Sequence, residues 1–160
     1  MSAAGSRQVA YEPDDIDRQI IEILKEDGRA THQDIAAKLK IAAATVSSRI
    51  RRLEQANAMR VVAITDFAAL GYRVLLAIGI EVEGRPARKV AEDLARLSEV
   101  FAVHLVTGAR DIEILVALHD FDEIKNFLLS DLAKIRGIRN VEAAIAADVI
   151  KFDFDVAPIV

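Results

Sequence analysis

Residues 35–53, Ile35-Ala36-Ala37-Lys38-Leu39-Lys40-Ile41-Ala42-Ala43-Ala44-Thr45-Val46-Ser47-Ser48-Arg49-Ile50-Arg51-Arg52-Leu53, constrain this chain more than any other stretch. Ile35 and Leu39 stand four apart on one short helix, and Val46, Ile50 and Leu53 recur at four and three on the next. Ala36 is small enough for two helix backbones to cross closely. The far side of the second helix presents Ser47, Ser48, Arg51 and Arg52 to solvent. A packing stripe backed by hydroxyls and guanidiniums is what a helix-turn-helix needs if its second helix is to enter a DNA major groove. An ordinary helical hairpin with a solvated charged face is the competing reading. Two features argue against it. Ile16, Ile20, Ile23 and Leu24 upstream have the spacing of a third core helix, and Arg49, Arg51 and Arg52 crowd together although the chain's net charge is −4.

That net charge looks wrong for a DNA binder until it is divided. From Lys38 to Arg60 six basic residues stand against Glu54 alone, whereas the segments on either side are acidic. Phosphate binding follows local potential, so a focused patch suffices. At 160 residues and 52% hydrophobic, the chain suits one or two small domains with real cores. It shows no apolar run of membrane-spanning length and no signal-peptide pattern at its start, so no membrane partner and a cytoplasmic location are expected. It has no cysteine, which removes disulfides and thiolate metal sites.

Residues 1–12 are small and polar and read as a disordered N-terminus. A DNA-binding domain is expected over 13–60. Its first helix is capped by Asp14 or Asp15 and closed at Asp27-Gly28. Thr31 and Asp34 form a capping box for the second. The third helix starts near Ala43 or Thr45 and runs to Ala56, with Asn57 taking the left-handed stop. Residues 61–72 read as a hinge strand, drawn from an extended stretch over Arg60–Thr65, and a linker. Over 73–160 the pattern becomes mixed: strand Arg73–Glu83, a helix opened by Pro86, strands Glu99–Thr107 and Ile112–His119 around a turn at Gly108–Asp111, a helix boxed by Asp120 and Glu123 and stopped at Gly137, and strand Val141–Ile150. The expected fold class is α+β, an N-terminal helix-turn-helix followed by a ferredoxin-like βαββαβ domain with both helices on one sheet face.

A tight hairpin at 108–111 would pair Leu105 with Ile114, Val103 with Val116 and Phe101 with Leu118, large residues that join Val74, Leu76, Ile78 and Ile80 on the helix-covered side. The other side receives Ala77, Gly79, Ala102, His104, Val106, Leu115, Ala117, Ala144 and Ala146. A face open to water should be more polar than this. Small apolar residues suit the close approach of a second sheet, so the same face of another copy is expected there, as a twofold homodimer.

Both halves together resemble the Lrp/AsnC family of transcriptional regulators, from about Asp14 to Ile150. Ile16-Asp17-Arg18-Gln19-Ile20 with Asp27-Gly28-Arg29-Ala30 is similar to the family's first helix and turn. Arg49-Ile50-Arg51-Arg52-Leu53-Glu54 resembles the end of its recognition helix. His104-Leu105-Val106-Thr107-Gly108 with Asp111 resembles the signature of its ligand-sensing domain, and Ile135-Arg136-Gly137-Ile138 the approach to its last strand. The resemblance implies dimerisation through the sheet, further assembly of dimers, and an amino-acid or related effector held between dimers near the Gly-and-Asp loop. The chain departs from the pattern at three places. Lys40 stands where the family has Gly, Ala42 where it has a capping Ser, and Asn57-Ala58-Met59 where Gly and a large hydrophobe follow the recognition helix. The lost cap should cost about 1 kcal/mol of helix stability.

The expected partners are therefore double-stranded DNA, a second copy of the chain and a small effector. On DNA, Thr45, Ser47 and Ser48 would reach base edges, Arg51 and Arg52 phosphates with Lys38 and Lys40 beside them, and Arg49 would either contact DNA or brace the domain. For the effector, the candidates are Val106, Thr107, Gly108, Arg110 and Asp111: Gly108 exposing backbone N–H groups to a carboxylate, Asp111 receiving an ammonium, Arg110 favouring an anionic ligand. Read alone, Gly108 and Asp111 make a hairpin turn and nothing more. No cofactor or metal is expected. His104, placed opposite Leu115, lies far from His119, and no Gly-rich phosphate loop or nucleophile elbow is present. Two alternatives remain, an effector-independent architectural DNA protein and an enzyme like the sirohaem decarboxylases, which resemble the same two-part architecture.

Overall fold

A computed structural model describes residues 11–152 and divides into two compact units, one ending at Ile64 and the other running from Thr65 to Lys151. The expected disorder of residues 1–10 and the end of the second domain, 153–160, lie outside the described residues.

The first unit is a three-helix cluster, α1 (Asp15–Glu26), α2 (His32–Leu39) and α3 (Ala43–Gln55). Most of its starts and stops have a local cause. Asp14 and Asp17 form a reciprocal capping box on α1, and Thr31 and Asp34 form one on α2. Lys40 ends α2 in the left-handed conformation at φ 54°, with the Ile41 N–H bonded to the Ala36 carbonyl at 3.1 Å. Asn57 ends α3 at φ 52°. Its own N–H reaches the Glu54 carbonyl at 3.0 Å, and that of Ala58 reaches Leu53 at 2.9 Å. This pair of bonds is the Schellman arrangement. Ala42 precedes α3 with no side-chain cap, and the helix still begins at Ala43, so Thr45 does not take over as cap. Ile20, Ile35, Ala36 and Val46 form the centre of the unit, flanked by Ile16, Ile23, Leu24, Leu39 and Ile50.

The second unit is a four-stranded antiparallel sheet in the order β2-β3-β1-β4, with β1 Val74–Val82, β2 Val100–Leu105, β3 Ile112–Leu118 and β4 Ile138–Ile145. Helix α4 (Ala87–Leu94) joins β1 to β2, and α5 (Asp122–Asn126) follows β3. The period-two pattern sends Val74, Leu76, Ile78, Ile80, Ile112, Ile114, Val116 and Leu118 into the helix-covered core with Val90, Leu94, Phe127 and Leu132.

Four expectations need correction. The β2–β3 register is two residues from the expected one: Leu105 pairs with Ile112 and Val103 with Ile114, and a bulge at Phe101 brings Val100 opposite Val116. A slip of two keeps the side chains beyond the bulge on their faces, so Val103 still packs against the core, while Leu105 at the strand end is 45% exposed. Phe101, outside the pairing, is 38% exposed and meets the ring of Phe67 at 5.3 Å rather than Leu118. The helix after β3 is not one continuous α-helix but α5, a π turn over Phe127–Asp131 and a 3-10 turn over Leu132–Lys134. Its start is not a reciprocal box: Asp120 accepts from the Glu123 N–H at 3.1 Å, but Glu123 accepts from His119, not Asp120. β4 begins at Ile138 and ends at Ile145, displaced toward the N-terminus from the expected Val141–Ile150. Finally, residues 59–66 carry no strand. The expected hinge is divided at Ile64, and Ala68–Leu70 forms a 3-10 turn.

Candidate nucleic-acid interface and sensing face

Helix α3 buries Val46 and Leu53 completely and turns Thr45, Ser48, Arg51 and Arg52 outward, with Ser47 half-buried. Lys38 and Lys40 are exposed on the preceding helix and turn. Ser48 donates its hydroxyl proton to the Thr45 carbonyl at 3.0 Å, so its oxygen faces outward as an acceptor. Arg51 and Lys40 have no ion-pair partner among the described residues.

Arg49 is placed differently. Its Nη1 donates to Asp14 at 2.7 Å and to Asp17 at 2.8 Å, and its side chain is only 19% exposed. Of the two roles open to it, the geometry is that of a brace. Asp17 is fully buried, and it also accepts from the Tyr11 hydroxyl at 2.5 Å and lies 3.5 Å from Arg52. The Arg52 guanidinium in turn sits 5.2 Å from the centre of the Tyr11 ring. Burial pushes the Asp17 carboxyl up, but the bonds from Tyr11, Arg49 and the Asp14 N–H outweigh it and hold the group below its ordinary value. The bond from Arg49 does the same for Asp14. The sequence offered Asp14 as a cap for α1; nothing local announced that it shares a capping box with Asp17 or that both carboxylates also reach α3.

In the second unit the loop at 106–111 is tied to the sheet. The Val106 N–H bonds the Asp111 carbonyl at 3.0 Å, and the Asp111 carboxylate accepts from the Val82 N–H at 2.7 Å, where the β1–β4 register shifts. Thr107 and Gly108 are exposed. Gly108 has φ +133° with open space where a side chain would stand. Arg110 does not point into this loop. It lies over Gly79 on the sheet's open face and pairs with Glu142, whose carboxylate holds the guanidinium still more firmly protonated.

The open face is therefore less apolar than its alanines suggested. Ala102, Leu115, Ala77 and Ala144 form one row across all four strands, and Ala117, already buried, and Ala146 lie beyond it. The adjacent row is His104, Glu113, Gly79 and Glu142, with Arg110 laid across it. Glu113 and Glu142 escaped the sequence reading although alternation alone puts each two residues before a recognised face position. His104 is opposite Glu113, not Leu115. His119, at the other end of β3, stacks on Tyr72 at 4.5 Å and borders a cavity of about 310 Å³ with Glu99, Glu123 and Asn126. Among the described residues no His, Cys, Asp and Glu cluster suits a metal, and no helix is long and apolar enough to cross a membrane.

Comparison with known proteins places both units. Residues 14–54 match the AsnC-type helix-turn-helix domain, and residues 76–156 match the Lrp/AsnC ligand binding domain. An uncharacterized HTH-type transcriptional regulator of Pyrococcus abyssi is 39% identical over 94% of this chain and 95% of its own length. The HTH-type transcriptional regulator FL11 of Pyrococcus furiosus is 32% identical over 86% of this chain and 91% of its own. Among solved structures, Escherichia coli AsnC superposes with a TM-score of 0.79 at 26% identity, covering 89% of this chain and 97% of that one. A transcriptional regulator of Neisseria meningitidis, solved as an L-Met complex, shares the fold with a TM-score of 0.81 at 20% identity, over 90% and 96% of the two chains.

Proposed function

This chain belongs to the Lrp/AsnC family of transcriptional regulators, and from that premise we propose that it is a sequence-specific DNA-binding regulator that works as a homodimer or an assembly of dimers and answers to an amino acid or a related metabolite. The observation that carries the DNA reading is α3: a buried Val46–Leu53 stripe on one side, and Thr45, Ser48 and Arg51 unobstructed on the other. Thr45 and Ser48 would touch base edges, while Arg51, Arg52, Lys38 and Lys40 would hold phosphates. Two such helices related by a twofold axis would enter successive major grooves of a pseudo-palindromic site. The row Ala102, Leu115, Ala77 and Ala144 supports pairing of two sheets face to face, since it lets the second backbone approach closely.

The sensing domain supports the effector reading, as does the L-Met bound by the Neisseria meningitidis regulator. Gly108 leaves backbone accessible in an exposed loop next to Asp111. A second reading, DNA binding without an effector, draws on a different observation: Asp111 already serves Val82, and Arg110 already serves Glu142. The deciding experiment selects duplexes from a random library and titrates binding with salt. It then repeats sizing and binding with each amino acid in turn. Log affinity should fall with log salt by about 0.9 per phosphate contact. One amino acid should change the assembly or the affinity; a response to none leaves the effector-free reading.

A further inference from the structure

Asp17 is the one buried charged side chain among the described residues, and everything around it belongs to the presentation of α3. It sits in the first turn of α1, yet two of its partners, Arg49 and Arg52, lie more than thirty residues on, one on each side of Arg51. We propose that Asp17 is the positioning residue of the DNA-reading helix: it withholds Arg49 from DNA and, together with the Tyr11 ring, fixes Arg52 at one place on the helix edge. The inference rests on the reading of α3 as the helix that enters the groove.

The geometry separates the three arginines by task. Arg49 shares its Nη1 between Asp14 and Asp17, at 2.7 and 2.8 Å, and is too enclosed to reach a phosphate. Arg52 is 53% exposed but held between a carboxylate at 3.5 Å and an aromatic face at 5.2 Å, so it offers a cation at a fixed position. Arg51 is exposed and has no ion-pair partner among the described residues. A cluster of three free guanidiniums would attract any duplex equally, because phosphate contacts carry no sequence information. Locking one inward and orienting another lowers that indiscriminate attraction. It also fixes the depth at which Thr45 and Ser48 meet base edges. Tyr11 completes the device, donating its hydroxyl to Asp17 while its ring faces Arg52.

The test compares the full chain with Asp17→Asn and Tyr11→Phe, using a duplex selected from a random library by the unaltered protein and a scrambled duplex of the same composition. Asp17→Asn removes the charge but keeps an acceptor. The expected result is a loss of tenfold or more in affinity for the selected duplex, with affinity for the scrambled one held or raised and a salt dependence at least as steep. Tyr11→Phe leaves the ion pairs in place and removes one hydrogen bond from the Asp17 carboxylate; it is expected to shift the ratio the same way by a smaller factor, with a smaller fall in melting temperature than Asp17→Asn. Equal losses on both duplexes would reduce Asp17 to a fold-stabilising residue and overturn the proposal, as would an unchanged ratio in both variants. If Asp17→Asn does not fold, the Tyr11→Phe ratio decides alone. Failure of the underlying reading is recognised separately, because the unaltered protein would then select no duplex.

Discussion

Arg110 occupies the space that a side chain at Gly79 would need. A Cβ built on Gly79 would collide with the Cδ and Nε of Arg110. The missing side chain is what lets the arginine lie flat on the sheet and reach Glu142 on β4. Gly79→Ala should therefore lift Arg110 off the face. The fold should tolerate this, since a flexible side chain moves and a strand interior loses nothing by exchanging Gly for Ala. The surface should not tolerate it, because a mobile guanidinium would stand where the second copy is expected to dock. Sedimentation of the variant should show weaker dimerisation, by about tenfold or more, the equivalent of about 1.4 kcal/mol, with an unchanged melting temperature for dilute monomer. An unchanged dimer constant would place the interface elsewhere.

Lys40 and Ala42 bracket the turn before α3, and both are suboptimal for it. Lys40 is in the left-handed region at φ 54°, where a Cβ costs about 1 kcal/mol. Ala42 precedes α3 without a side-chain cap. Ala42→Ser should raise stability by about 1 kcal/mol, read as a higher melting temperature. Lys40→Gly should be neutral to slightly stabilising, because relief of strain offsets the greater freedom of the unfolded chain. The same change removes one expected phosphate contact. Its salt dependence on DNA should become shallower by about 0.9 in slope. Stability and DNA affinity should thus move apart in a single variant.

Those two positions show what a sequence can carry. Caps and stops are local, so the Thr31–Asp34 box and the left-handed Asn57 were readable from a few neighbouring residues. Strand faces were readable because side chains alternate, and the two-residue error in the β2–β3 register left Val103 against the core, while Phe101 and Leu105, expected there too, are exposed. What could not be read depended on distant chain. Phe101 at the bulge packs against the distant Phe67, the break in the helix after Asn126 has no local cue, and the partners of Arg49 lie thirty-two and thirty-five residues upstream. The candidate sites divide the same way. Arg51 and Ser48 are exposed on the side their spacing indicated, whereas Arg49 and Arg110 are taken up by carboxylates that no nearby pattern connected to them.

The carboxylates of the first unit set its response to acid. Asp14 is held below its ordinary value by Arg49, Asp17 by Tyr11 and Arg49 against the opposing effect of burial, and Asp34 by Thr31. All three bind protons more weakly in the folded state than in the unfolded one. The unfolded state therefore takes up more protons through this window, and stability rises with pH across it. The contribution is complete above the unfolded value near 3.8 and is lost as pH falls through the lower folded values. Helical circular dichroism during thermal melts should show the first unit weakening below about pH 4. Asp14→Asn should flatten that dependence. A melting temperature independent of pH down to about pH 3 would mean that these pairs do not form in solution.

Asp111 has two duties to separate, one seen and one proposed. Its Oδ2 accepts from the Val82 N–H at 2.7 Å, where β1 shifts register against β4. Under the effector reading its charge also receives an ammonium. Asp111→Asn retains an acceptor for Val82 and removes the charge, whereas Asp111→Ala removes both. The asparagine variant should keep the melting temperature and the DNA affinity of the unaltered chain. The alanine variant should lose about 1 kcal/mol, the net worth of one hydrogen bond at an exposed site. If an amino acid alters assembly of the unaltered chain, the asparagine variant should have lost that response, seen as sizing profiles that no longer move when the ligand is added. A full response in Asp111→Asn would assign the residue to the strand end alone and send the search for the ammonium partner to other carboxylates of the second unit.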